Sequence, residues 1–181
     1  TADRMVENVI GIFGLPLGVA TNFKINGKDF FIPMAIEESS VIAAASNAAK
    51  IARKLGGFKA ESSEQLMIGQ IQLKNAKFEK AKATIARHKA LLLRKANECD
   101  KVLCKHGGGA KDIEVRKAGK FVVLHLIVDV RDAMGANAVN SMCEAIAPEI
   151  EKLCNCHTGL KILSNFAVHR IVKAKAKFSV K

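Results

Sequence analysis

Across residues 66–163 the apolar positions switch between the two-residue period of strands and the 3.6-residue period of helices, in the order β-α-β-β-α-β. That order predicts a split, ferredoxin-like α+β unit. Its first strand covers residues 66–73, with Met67, Ile71 and Leu73 on one face. A basic amphipathic helix starts near Ala76 and carries Phe78, Ala81, Ile85 and Leu92 on its apolar stripe. It breaks near Asn97, continues to Cys104 and stops at Gly107-Gly108-Gly109. Residues 111–116 and 120–130 read as two strands joined by Lys117-Ala118-Gly119. A helix over about 135–153, kinked or interrupted at Pro148, and a short strand at 160–163 complete the set.

The flanking segments follow other rules. After the turn-rich Gly14-Leu15-Pro16-Leu17-Gly18, two apolar runs at 23–25 and 28–32 flank Asn26-Gly27, the favoured pair for a type I′ hairpin turn. An Ala-rich helix over about 40–55 places Val41, Ala45, Ala48, Ala52 and Leu55 at helical spacing, with Ser39 or Ser40 as N-cap and Gly56-Gly57 as stop. The polar run from Glu61 to Gln65 reads as a linker. Residues 171–181 alternate strictly, with Val172, Ala174, Ala176, Phe178 and Val180 set against Lys173, Lys175, Lys177, Ser179 and Lys181. That pattern predicts a half-buried strand with one lysine-rich face. The start at Thr1, without Met, and the stop in mid-pattern both read as cut ends.

Lys and Arg outnumber Asp and Glu by 29 to 17, a net charge of +12 that favours an anionic partner: nucleic acid, an acidic membrane or a polyphosphate cofactor. With 49% apolar residues the chain has material for a core. No apolar run approaches the roughly 20 residues needed to span a bilayer, and no signal-peptide pattern precedes residue 11. Five cysteines within periodic segments point to reduced thiols and a cytoplasmic location.

Chemistry has few places to reside. Paired carboxylates at a helix entry, such as Glu37-Glu38, ordinarily complement the helix dipole. Ala35, Ile36, Val41, Ile42 and Ala43 could instead bury this entry, and a desolvated carboxylate holds its proton well enough to act as a general acid. In residues 128–137 an apolar strand runs into a helix start, where backbone amides suit a phosphate, Gly135 leaves room for a ligand, and Asp132 can cap the helix or accept a bond from a sugar or amide. No G-x-G-x-x-G follows a strand, and the triple glycine lacks the Lys-Ser/Thr of a P-loop. Cys154-Asn155-Cys156-His157 has no second ligand pair, so no metal is assigned. His125 sits in an apolar strand and reads as a hydrogen-bonded core residue.

Three segments together resemble one family. Glu7-Asn8-Val9-Ile10-Gly11, residues 33–40 (PMAIEESS) and Asp132-Ala133-Met134-Gly135-Ala136-Asn137 are similar, in order and interval, to motifs of the class II 3-hydroxy-3-methylglutaryl-coenzyme A (HMG-CoA) reductases. The likeness extends through Ile162-Leu163-Ser164-Asn165 and implies a small ferredoxin-like NAD(P)-binding domain at 65–164. It sits within a larger HMG-CoA-binding domain, represented by 1–64 and, incompletely, by 165–181. The implied reaction reduces HMG-CoA to mevalonate and coenzyme A through mevaldehyde, or runs in reverse. By the same resemblance Glu38 is the catalytic acid, while Ser40, Glu7 and Asn8 lie at the substrate. Asp132, Ala133, Met134, Gly135, Asn137 and Asn165 lie at the cofactor. Asp100 matches the position that meets the adenine ribose, which implies NAD(H), with NADP(H) allowed by the neighbouring Lys101 and Lys105. The family's catalytic Lys, Asp and C-terminal His fall beyond Lys181, so these 181 residues alone are expected to be inactive. A homodimer with its active site between subunits is implied, with no membrane or nucleic-acid partner.

Two other readings compete. An RNA-recognition module shares the β-α-β-β-α-β order and suits a basic chain, but it stacks bases on strand aromatics. The strand at 120–130 offers only Phe121, and the chain has no Tyr or Trp. A non-catalytic relict of the reductase family is the other.

Overall fold

The structure is a computed structural model that describes residues 2–179. The chain divides into two compact units, Thr1–Glu61 with Val172–Lys181, and Ser62–Ile171.

In the first unit, strands β1 (Leu17–Ile25) and β2 (Lys28–Ala35) form the expected hairpin, followed by helix α1 (Val41–Arg53) and strand β3 (Phe58–Ser62). Strand β8 (Val172–Ala176) joins after the second unit, giving the sheet order β2-β1-β3-β8. Asn26 and Gly27 have φ of 50° and 84°, the two positive values that a type I′ turn demands. Strand β1 bulges between Ala20 and Phe23. There the Thr21 N–H donates to Ser46 Oγ (3.0 Å), and Asn22 Nδ2 donates to the Ser46 carbonyl (3.2 Å), docking the bulge on α1. Ala49 and Ala52 form the buried stripe of that helix.

Three expectations for this unit need correction. The run assigned as a linker begins within β3, because pairing beside β1, not apolar content, makes that polar segment a strand. Ser40 precedes α1 with φ of 69° and no side-chain capping bond; only its carbonyl serves the helix, accepting from Ala44 N–H at 2.8 Å. Strand β8 stops at Ala176 and is exposed apart from that residue, since it lies at the sheet edge and no layer of the described residues covers it. Val180 and Lys181, the last positions of the alternation, lie outside the described residues.

The second unit contains β4 (Leu66–Lys74), α2 (Phe78–Arg87), α3 (Lys89–Asn97), α4 (Lys101–Lys105), β5 (Gly109–Ala118), β6 (Phe121–Asp129), α5 (Ala136–Cys154) and β7 (His157–Leu163). The sheet runs β5-β6-β4-β7 with antiparallel neighbours, the ferredoxin-like topology. Ile71, Leu73, Leu124, Leu126 and Val128 pack with Ile85, Leu92, Met142, Ile146 and Ile150 in one buried core. Each such burial contributes about 1.5–3 kcal/mol. A Cβ on Gly69 would collide with Cys143 Sγ and Val139, so glycine lets α5 lie close on the sheet. Burial pushes the Cys143 thiol up to about 12 and Cys156 up to about 11, which favours the protonated thiols.

The long basic helix is three helices, with a first break at His88 and a second after Asn97. Helix α5 passes through Pro148 without interruption. Pro148 and Glu144, whose carbonyl loses its helical partner, both lie on the exposed face, where water can satisfy that carbonyl. The compact unit also runs past residue 164 to Ile171, because Ser63 binds that return segment. Ser63 Oγ donates to the His169 carbonyl (2.7 Å) and accepts from Ile171 N–H (2.9 Å).

The opposite parity of the sheet carries Gln70, Glu114, Arg116 and His125. Arg116 lies over the Phe166 ring at 5.1 Å, so the return segment occupies part of the face that an RNA-recognition module would offer to bases. His125 is buried as expected, yet its Nδ1 has no hydrogen-bond partner among the described residues. Burial and then the nearby Arg116 lower its pKa, which favours the neutral ring.

Candidate functional site

The loop from β6 to α5 is shaped by its backbone. Arg131 adopts φ of 51°, held by its N–H donating to Asp129 Oδ1 at 3.0 Å. Its guanidinium donates to the Gly107 carbonyl at 2.7 Å and lies 3.4 Å from Asp129 Oδ2. Gly135, with φ of 92°, is the N-cap residue of α5. A Cβ there would lie 2.7 Å from both Met67 Sδ and Val130 Cγ1, so glycine is required by conformation and by space. Among the described residues no side chain caps α5. Asp132 therefore does not cap the helix, one of its two expected roles, and its carboxylate is exposed.

Helix α4 approaches the same loop. Asp100 Oδ1 accepts the Leu103 N–H at 2.8 Å and caps α4. Asn97 Oδ1 accepts from Ala110 N–H at 2.6 Å and its Nδ2 donates to the Ala110 carbonyl at 3.2 Å, bridging the triple-glycine turn. Gly108 has no room for a side chain, since a Cβ would meet Leu103 and the Asp129 carbonyl. The result is a cleft of about 470 Å³ lined by Asp100, Val102, Leu103 and His106 on one side, and by Val130, Arg131, Asp132, Ala133 and Ala138 on the other. Its size and apolar walls with a few polar groups suit a cofactor-sized ligand.

Asp100, chosen from one position, and Asp132 and Ala133, chosen from one motif, thus meet at one cleft. Met134, Gly135, Asn137 and Asn165 do not line it; Met134 is 73% exposed, and Asn137 and Asn165 are exposed on the first turn of α5 and on the return segment. Sequence reasoning missed His106, the brace made by Arg131, and Arg170. Arg170 donates through Nε to Gln65 Oε1 (3.0 Å), through Nη1 to Met67 Sδ (3.1 Å) and the Met134 carbonyl (3.4 Å), and through Nη2 to the Ala133 carbonyl (3.4 Å).

In the first unit, Glu7 and Asn8 are exposed in the irregular stretch before β1, with Asn8 at φ of 55°. Glu37, Glu38 and Ser40 are also exposed, which corrects the expectation that apolar neighbours bury this helix entry. Ala35 itself is exposed and Ile36, Val41 and Ile42 are only half-buried, so none of the described residues of this unit encloses the carboxylates.

The family model for hydroxymethylglutaryl-coenzyme A reductase matches residues 1–181. The chain belongs to that family. It is 57% identical over 98% of its length to the 3-hydroxy-3-methylglutaryl-coenzyme A reductase of Archaeoglobus fulgidus, of which it covers 42%. It is 35% identical over 95% of its length to a probable reductase of Borreliella burgdorferi, covering 40% of that protein. The class II reductase of Streptococcus pneumoniae, solved bound to NADPH in open conformations, superposes with a TM-score of 0.94 at 39% identity, over 98% of this chain and 49% of that one. The chain spans less than half the length of each of these reductases.

Proposed function

We propose that this reductase-family chain supplies the dinucleotide site and part of the acyl-CoA site of an enzyme that reduces HMG-CoA to mevalonate and coenzyme A. The observation that carries the reading is the convergence of Asp100, Asp132 and Ala133 on the cleft between α4 and the β6–α5 loop. In this reading the Ser62–Ile171 unit holds the dinucleotide, and the first unit, with Glu7, Asn8 and Ser40, contributes to the acyl-CoA site.

Two reduced nicotinamide dinucleotides, bound one after the other, would each supply one hydride: the first to the thioester carbonyl carbon, and the second to mevaldehyde after coenzyme A has left as the protonated thiol. Each addition puts charge on an oxygen that must gain a proton, and Glu38 is assigned to supply it. Glu38 is exposed on this chain, so the desolvation that favours a proton donor has to come from bound substrate and from the rest of the dimeric enzyme. Asn137, Met134, Gly135 and Asn165 are assigned to cofactor parts that extend beyond the cleft. The uncapped N-terminus of α5 favours an anionic group there.

We assign NAD(H) as the preferred cofactor on the carboxylate of Asp100, which accepts bonds from free ribose hydroxyls and repels a 2′-phosphate. NADP(H), the ligand of the Streptococcus pneumoniae relative, remains an admissible substrate, since His106 and Arg131 share the cleft and Lys101 and Lys105 adjoin it in sequence. A cytoplasmic location is inferred from the five free cysteines; separately, among the described residues no helix is long and apolar enough to cross a membrane.

The test is an assay of the full-length protein with HMG-CoA and each reduced dinucleotide. Dinucleotide oxidation that depends on HMG-CoA, with two equivalents consumed per thiol released, is the expected result. No oxidation of either dinucleotide, and no reduction of the oxidised forms with mevalonate and coenzyme A, overturns the reading.

A further inference from the structure

The geometry points to Arg170 as a positioning residue that sets the shape of the β6–α5 loop, and through it the affinity for the dinucleotide. This rests on the proposal that the cleft binds a dinucleotide. Arg170 lies on the segment that leaves β7, far in sequence from the loop it touches. Its two terminal nitrogens donate to consecutive carbonyls, Met134 and Ala133, each at 3.4 Å. Its Nε donates to Gln65 Oε1 at 3.0 Å, and Nη1 also approaches Met67 Sδ at 3.1 Å. One planar group therefore ties the loop to the residues that lead into β4, a geometry that a lysine ammonium cannot reproduce.

The origin of this side chain is itself fixed. Ser63 Oγ donates to the carbonyl before Arg170 and accepts from the N–H after it, at 2.7 and 2.9 Å. The Ser63 N–H donates to the Ile171 carbonyl at 2.9 Å. Phe166, under Arg116, anchors the same segment upstream. With its backbone held on both sides, the guanidinium fixes where the Ala133 and Met134 carbonyls point. The cleft wall at Ala133, and Gly135 at the helix entry just beyond, follow from that orientation.

The experiment is steady-state kinetics and equilibrium dinucleotide binding on the full-length reductase. Arg170→Ala is expected to raise the KM and Kd for the dinucleotide on the order of tenfold, because a small displacement of a binding wall is enough to lose that much. The KM for HMG-CoA is expected to stay unchanged. Arg170→Lys keeps the charge and most of the stem and is expected to recover only part of the loss. Ser63→Ala is expected to act in the same direction more weakly, and to add nothing on top of Arg170→Ala, since both act on one contact set. A parent enzyme that binds dinucleotide tightly, with an Arg170→Ala variant that binds equally well, overturns the positioning role and leaves the cofactor reading standing. So does full recovery by Arg170→Lys. Additive effects of Ser63→Ala and Arg170→Ala overturn the coupling through the backbone. A parent enzyme that binds neither dinucleotide overturns both proposals. If Arg170→Ala fails to fold, Arg170→Lys and Ser63→Ala decide the matter by the same split between cofactor and HMG-CoA.

Discussion

Asn26 and Ala60 exchange two hydrogen bonds: Asn26 Nδ2 donates to the Ala60 carbonyl at 2.8 Å, and Asn26 Oδ1 accepts the Ala60 N–H at 2.9 Å. The side chain thereby imitates a strand neighbour, and its own backbone forms the turn between β1 and β2 with φ of 50°. One residue serves both the hairpin and the attachment of β3.

Replacing it separates the two duties. Asn26→Gly keeps the left-handed conformation but loses both side-chain bonds, and is expected to destabilise the protein by about 1–2 kcal/mol, the usual net worth of such bonds. Asn26→Ala adds the strain of a positive φ and is expected to cost about 1 kcal/mol more. Urea unfolding of the two variants measures the difference; equal midpoints would show that the turn conformation contributes nothing.

Cofactor choice is tested at Asp100. Because its carboxylate also accepts from Leu103 N–H, alanine would remove the cap of α4 along with the charge. Asp100→Asn preserves an acceptor for that N–H and removes only the charge. It is expected to shift the ratio of kcat/KM for NADH over NADPH toward NADPH by on the order of tenfold, and Asp100→Ala to shift it in the same direction with some loss of stability. An unchanged ratio in both variants removes Asp100 from the role of discriminator.

Glu38→Gln tests the assignment of Glu38 as proton donor. The amide retains the size and polarity of the side chain but has no acidic proton to give. Reduction of HMG-CoA by the full-length enzyme is expected to fall by about 100-fold or more, with the dissociation constants of HMG-CoA and dinucleotide nearly unchanged. Weakened binding with full turnover in occupied sites would instead make Glu38 a binding residue.

His125 gives the structure a pH dependence whose sign can be stated. Its pKa is held below 6.5, first by burial and then by Arg116, with His169 acting the same way and Glu114 opposing. The unfolded chain therefore takes up this proton first as pH falls, so stability is complete above about 6.5 and declines below it until the folded ring titrates. His125→Gln, which does not titrate, is expected to flatten that part of the profile. Parallel profiles for parent and variant in urea unfolding between about pH 8 and pH 5, bracketing the ordinary histidine range, would count against the assignment.

Much of the second unit was legible because its strands and helices carry their burial in local spacing: Leu124, Leu126 and Val128 on β6, and Val139, Met142, Ile146 and Ile150 on α5. The hairpin was legible because Asn-Gly is a local conformational signal. What escaped was set at a distance. Strand β3 has too little apolar character to announce itself and exists by pairing beside β1. The contact of Arg170 with Gln65 joins positions 105 apart, and no periodicity predicts it. At the candidate site, Asp100, Asp132 and Ala133 were identified by family motif, but their shared cleft depends on how the glycine turn lets α4 approach the end of β6. The exposure of Glu38 was missed for a related reason, since apolar neighbours in sequence do not form a lid unless the fold turns them toward the same place.

Strand β3, where the chain leaves the first sheet, and strand β8, where it returns, are adjacent in that sheet. Near the departure and arrival points the Ser63 hydroxyl touches both ends of the excursion. A module whose ends meet in this way occupies no more room in its host than a short loop. It could be shortened, exchanged or permuted without breaking the order of the host strands, much as a bracketed clause can be lifted out of a sentence.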